Sequence, residues 1–174
     1  MCDEARERFH NLLTQFSHGM LVTRTPNADL RARPLAVADI EDDDDLWFVT
    51  SLGTGKVTEI LKDPHVCITF QEGARYLSLT GRAVVVCDAE RLKQVWKERW
   101  RTWFPEGPRD PQVVLLRINA EAGEFWDRGG LAGIRYLFRA GRDYLAGREY
   151  VSTPEEHQKV NLASCLPDYE RPAR

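Results

Sequence analysis

Apolar residues fall first into a helical period and then, for most of the chain, into the alternation of strands. Phe9, Leu12, Leu13 and Phe16 lie one, three or four apart behind an acidic first turn of Asp3 and Glu4, which predicts an opening helix ended by Gly19. From there the period drops to two. Strands are predicted over Met20–Thr25, Leu30–Ile40, Leu46–Thr50, His65–Gln71, Tyr76–Cys87 and Val113–Trp126. The breaks between them carry turn chemistry at Pro26-Asn27, the acidic run Glu41 to Asp45, Asp63-Pro64 and Glu72-Gly73.

Two helical patterns interrupt this series. One is short, Gly55 to Lys62; the other runs from Ala89 to about Trp103 and sets Leu92, Val95, Trp96 and Trp100 along one stripe. Hairpin-length connections without regular strand-helix alternation predict a mainly β fold, a six-stranded antiparallel sheet closed or nearly closed into a small barrel with flanking helices. Residues 1–128 form this domain. Residues 129–174 read as a helical extension, basic and broken by Gly129, Gly130, Gly133, Gly141 and Gly147, with a loosely held tail from Ser152.

Composition narrows the picture. At 174 residues, 43% hydrophobic with 5 Trp, the chain is long enough for one well-buried domain. A net charge of -3 and a pI near 5.8 leave no electrostatic footprint for nucleic acid. Its apolar runs are only strand-sized and no charged-then-apolar leader opens it, so neither a membrane span nor a secretory signal is expected. Cys2, Cys67, Cys87 and Cys165 form no CxxC pair and read as reduced thiols of a cytoplasmic protein; Cys67 and Cys87, set among apolar strand residues, read as buried and unreactive. The acidic run lacks the alternating ligands, central Gly and closing Glu of a calcium loop, so a solvated turn is expected and no metal.

Residues 53–56, Gly-Thr-Gly-Lys, raise the question of a phosphate. A nucleotide-triphosphate loop needs Gly at position 50 and Ser or Thr at position 57; Thr50 and Val57 stand there instead. A strand, a Gly-containing loop and a helix in succession still gather Thr50, Ser51, Thr54 and backbone donors at a helix start, with Lys56 adding charge and Arg31 and Arg33 on the preceding strand within reach. From spacing alone, a capped helix with a solvent-exposed lysine fits as well as an anion site.

Six segments together carry a resemblance: Met20-Leu21-Val22-Thr23, Arg31-Ala32-Arg33-Pro34, Leu46 to Ser51 with Lys56, Ser78 to Ala83, Trp103-Phe104-Pro105, and Glu124-Phe125-Trp126-Asp127. Between Phe9 and Asp127 the chain resembles the pyridoxamine 5'-phosphate oxidase-like flavin-binding split barrels, in their general stress protein 26 branch. That resemblance implies FMN, with FAD as the alternative. It implies that Arg33, Thr50, Ser51 and Lys56 hold the phosphate and that Pro34, Leu35, Trp47, Phe48 and Val49 line the ring and ribityl. It also implies a homodimer with flavins shared between subunits, the phosphate ligands coming from one subunit and Tyr76, Ser78, Trp103 and Phe104 from the other.

The chain departs from the oxidase pattern twice. Gly55-Lys56 replaces a usual Arg-Lys, and Trp126 is followed by Asp127-Arg128-Gly129-Gly130-Leu131, without the Arg-Leu-His segment that contacts the vitamin B6 substrate. A flavin-dependent oxidoreductase acting on another small molecule is therefore expected, or a flavin-binding stress or sensor protein without turnover; a deazaflavin or haem on the same fold is a further alternative. No nucleophile-base pair is legible. His10, His18 and His65 read as structural or exposed, and Trp96 and Trp100 as helix packing.

Overall fold

A computed structural model describes residues 2–127, 142, 146, 153 and 156–163. The order is α1 (Cys2–Leu13), β1 (His18–Arg24), β2 (Leu30–Ile40), β3 (Leu46–Ser51), α2 (Gly55–Lys62), β4 (His65–Glu72), β5 (Arg75–Val86), α3 (Ala89–Val95), β6 (Val113–Asp127) and β7 (His157–Asn161). Single 3-10 turns at Glu98–Thr102 and Gly107–Arg109 bridge α3 to β6.

The strands run in the order β3-β2-β1-β4-β5-β6, all antiparallel, and β3 pairs back onto β6. This closes the six-stranded barrel that the alternation predicts. Leu21, Phe48, Ile68, Leu79, Leu116 and Ile118 point inward and are wholly buried, joined by Phe9 and Leu13 of α1 and by Val57 and Ile60 of α2. A second apolar cluster lies outside the barrel wall, where Trp47, Val49 and Leu115 meet Leu92 and Val95 of α3 and Trp100. Strand β3 serves both clusters because its side chains alternate faces.

One crossing is tight enough to demand glycine. A Cβ on Gly81 would sit 2.0 Å from the Asn119 carbonyl oxygen, at the point where the β5–β6 register shifts. Backbones approach there as they do at bulges.

Several expectations are corrected. The opening helix stops at Leu13, and Gly19 lies inside β1, where a Cβ would meet Phe70 at 2.7 Å. The helix read as far as Trp103 ends at Val95: Trp96 turns extended, and the Lys97 ammonium donates to the Val37 carbonyl at 3.0 Å, drawing the chain over β2. Cys87 is exposed and Cys67 half-buried, since β5 ends at Val86 and Cys67 lies on the outer barrel face.

The acidic run is no solvated turn. Asp44 and Asp45 are buried; Asp44 accepts from Arg6 at 3.0 Å and pairs with His10 at 2.9 Å, while Asp45 accepts from Arg117, Asn119 and the Ala120 N–H. Burial pushes the Asp45 carboxyl up, against the pull of the Ala120 N–H and Arg117. The turn thus ties α1 and β6 to the β2–β3 hairpin.

The tail expected from Ser152 contributes a seventh strand. β7 pairs with β6 from Trp126↔His157 to Ala122↔Asn161, burying Val160, and His157 stacks on Trp126 with ring centroids 5.0 Å apart while its Nε2 meets Glu124 at 2.6 Å. Most of the expected helical extension, together with Cys165, lies outside the described residues; Ala146 N–H donates to the Arg142 carbonyl, one helical bond within it.

Candidate functional site

The site arises where β2 changes partner. Residues 30–36 of β2 pair with β1, whereas only Val37–Ile40 reach β3, and β3 beyond Phe48 pairs with β6 alone. The two strands therefore diverge. A cleft of about 370 Å³ opens between them, with Pro34, Leu35 and Val49 on its strand walls and Trp100, Trp103 and Phe104 facing it from the 3-10 turn after α3. Pro34 is tolerated in mid-strand because this stretch has a ladder on one side only.

Lys56 and Thr50 form the polar side of the cleft. Lys56 stands in the first turn of α2, and its half-buried ammonium donates to Thr50 Oγ1 at 2.8 Å and Thr54 Oγ1 at 3.2 Å. Among the described residues no carboxylate pairs with it. Burial pushes its pKa below the ordinary lysine value, the nearby Arg33 charge adds to that, and Glu59 opposes both. Thr54 caps α2 in extended geometry but turns its hydroxyl to the Ser51 carbonyl at 2.8 Å, leaving the helix start without a side-chain cap. A charged donor with hydroxyl partners, at an uncapped helix start, has the chemistry to accept an anion.

The two arginines lie behind this seat. Period-two alternation in β1 carries the polar Thr23 inward, where it meets Glu59 of α2. Thr23 Oγ1 donates to Glu59 Oε2 at 2.5 Å, Arg33 donates to both Thr23 and Glu59 at 2.5 Å, and Arg31 donates to Glu59 at 3.1 Å. Glu59 is 3% exposed. Its burial raises the carboxyl pKa, yet bonds from Thr23 and Arg33 and the charges of Arg33 and Arg31 outweigh that and hold it below the ordinary value.

The residues expected at a cofactor are thus divided. Pro34, Leu35, Val49, Thr50, Lys56, Trp103 and Phe104 meet at one cleft. Arg33 is turned to Glu59, and Ser51 contributes its carbonyl to Thr54. The side chains of Trp47 and Phe48 do not line the cleft: alternation sends Phe48 into the barrel core and Trp47 under α3, where Arg91 and Arg117 lie over its ring at 5.1 and 5.6 Å. Tyr76 and Ser78 stand on the outer face of β5, away from the cleft of their own chain. Sequence reasoning passed over Glu59 and Ala36; it read His18 as structural or exposed and Trp100 as helix packing, and both also line the cleft. A glutamate facing the helix interior side, three residues after Lys56, was the one available signal for the first.

Comparison with known proteins gives the same architecture. The family described as "Pyridoxamine 5'-phosphate oxidase like" matches residues 4–144. The protein bli-3 of Neurospora crassa is 26% identical over 129 residues, 67% of this chain, and the matched region spans only 62% of bli-3. Among solved structures, one described as a general stress protein 26 from Jannaschia sp. CCS1 superposes with a TM-score of 0.72 at 24% identity, over 91% of this chain and 99% of that one. The general stress FMN/FAD binding protein of Xanthomonas citri gives 0.62 at 24% identity, over 74% and 92%.

Proposed function

The chain belongs to the pyridoxamine 5'-phosphate oxidase-like family, and from that premise we propose that it binds FMN in the β2–β3 cleft and uses it in electron transfer with a small molecule. The observation that carries this reading is Lys56: a half-buried ammonium with no carboxylate partner among the described residues, opening onto a cleft walled by aromatic and aliphatic side chains. Its hydroxyl partners and the α2 start suit a phosphate ester, and the flat walls suit a planar ring. The flavin binding in the name of the Xanthomonas citri protein supports the ligand class.

When bound, the flavin supplies hydride or electron transfer; the protein supplies binding, orientation and exclusion of water. Lys56 and Thr50 would hold the phosphate, with the Arg33 charge nearby. Pro34, Leu35 and Val49 would support the ring, with Trp103 and Phe104 lining the same cleft. Uptake of one FMN per chain, read by absorbance of the purified protein and mass of the released cofactor, tests the assignment; a nucleotide-free or FAD-only protein overturns it.

Vitamin B6 phosphates are not the substrate on this reading. Trp126 is followed by no Arg-Leu-His segment, and the first histidine beyond it, His157, is engaged by Trp126 and Glu124. Pyridoxal phosphate formation from pyridoxamine or pyridoxine 5'-phosphate is expected to be undetectable against ordinary turnover on the order of 10 per second. Formation at such a rate refutes it.

The functional unit is a homodimer with shared flavin sites. Two outer rows of side chains run across the barrel, Ala32-Val22-Cys67-Thr80-Ala122, uncharged throughout, and Pro34-Met20-Thr69-Ser78, uncharged until it reaches Glu124 on β6. Such a face, bordering the cleft at Pro34, suits a two-fold partner bringing its Tyr76 and Ser78 to the site. Light scattering is expected to give a dimer that tightens with FMN. A monomer binding FMN tightly at micromolar concentration sinks the shared site.

A further inference from the structure

Lys56 is not the only titratable side chain in the cleft. His18, the first residue of β1, lines it too, placed there by its pairing with Ala36 of β2. Its Nδ1 lies 2.9 Å from Ser17 Oγ, and its Nε2 has no hydrogen-bond partner among the described residues. When the Ser17 hydroxyl donates to Nδ1, the imidazole proton stays on Nε2 and is free to donate. Apart from Lys56 and Thr50, the lining is carbon except for two indole N–H groups and this ring.

We propose that His18 is a positioning and tuning residue of the flavin site, donating a hydrogen bond from Nε2 to the carbonyl-bearing edge of the bound ring. The inference rests on the flavin reading above. Thr50 lies on β3 and His18 on β1, with β2 between them; because β2 and β3 have separated here, the span is at least two inter-strand spacings, roughly 10 Å or more. With the phosphate at Lys56 and Thr50, the ring extends past Leu35 and Val49 toward Ala36 and His18. An isoalloxazine has one hydrocarbon edge and one edge of carbonyl and nitrogen acceptors. Trp100, Trp103 and Phe104 match the first; the Nε2–H donor of His18 matches the second. Negative charge gathers on that acceptor edge when the ring is reduced, so a donor there binds the reduced cofactor more strongly than the oxidised one.

The test compares wild type, His18→Gln and His18→Leu, with oxidised FMN affinity read by fluorescence quenching and the two-electron potential of bound FMN read by dye equilibration. His18 is exposed, so both variants are expected to fold, as thermal melts will confirm. Oxidised FMN is expected to bind all three proteins within about threefold. Reduced FMN is expected to bind His18→Leu about tenfold more weakly, which lowers the potential by about 30 mV for a two-electron couple; His18→Gln, which keeps an N–H donor on a side chain of different shape, falls between. A potential unchanged in His18→Leu overturns the proposal. So does an equal loss of oxidised and reduced FMN, which marks simple packing. A wild-type protein that takes up no flavin removes the functional reading itself, and this inference with it.

Discussion

Replacing Lys56 by Ala is expected to weaken FMN by about ten- to a hundredfold while leaving riboflavin nearly unchanged. A hydrogen bond to a charged group contributes about 1.5–3 kcal/mol, and each 1.4 kcal/mol is a factor of about ten in affinity. Riboflavin shares the ring and ribityl but lacks the phosphate, so it reports the rest of the cleft. Titration of the variant with both ligands checks the assignment, and an equal loss for the two would falsify it.

The same lysine sets a pH dependence. Burial, then Arg33, lower its pKa from 10.5, and a bound phosphate favours the charged form. FMN affinity is therefore full below the lowered value and declines as pH rises through it, earlier than for an ordinary lysine. The riboflavin control separates this decline from titration of the ring. Parallel curves for the two ligands would place the phosphate elsewhere.

The largest stability effect is expected at Glu59→Ala. Breaking a buried ion pair by removing one partner costs about 3–5 kcal/mol, because the remaining charge stays buried without compensation. Here the remaining charge is Arg33, whose side chain is 17% exposed. For a protein of this size that loss is a fall in Tm of about 6–20 °C. Glu59→Gln is expected to cost less, since an amide oxygen still accepts from Thr23 or Arg33.

Acid carries the same signature. The folded Glu59 pKa is depressed, so its stabilisation is complete above the unfolded value near 4.5 and is lost as pH falls from there through the folded value. The alanine variant lacks this component, and its stability changes less over that window. Thermal melts of both proteins between pH 3 and 7 measure the difference; a variant as stable as wild type would show that Arg33 does not depend on Glu59.

Glu59 also explains why the site was only partly legible in the sequence. Thr50 and Lys56 are six residues apart, and a strand, a turn and a helix start bring them together by local geometry alone. Glu59 and Arg33 are 26 apart, and Thr23 and Glu59 are 36 apart. Spacing near Lys56 suggested that Arg33 could face the same anion. The packing of α2 on the barrel instead sets it against the buried Glu59 carboxylate.

Local periodicity determined six strands, the α2 limits and the barrel class, because alternation reports which face of each strand is buried. It also gathered Thr50 and Lys56 at one helix start, with an exposed lysine as the equal alternative until the structure showed Lys56 donating to Thr50. Only the tertiary structure decided that Trp47 and Phe48 leave the cleft by opposite faces of β3, that His18 enters it across β1 and β2, and that Asp44 and Asp45 are buried by Arg6 and Arg117. It alone drew residues 157–161 onto β6. Each of these depends on partners distant along the chain, whose proximity is set by strand pairing rather than by any pattern within reach of the residue itself.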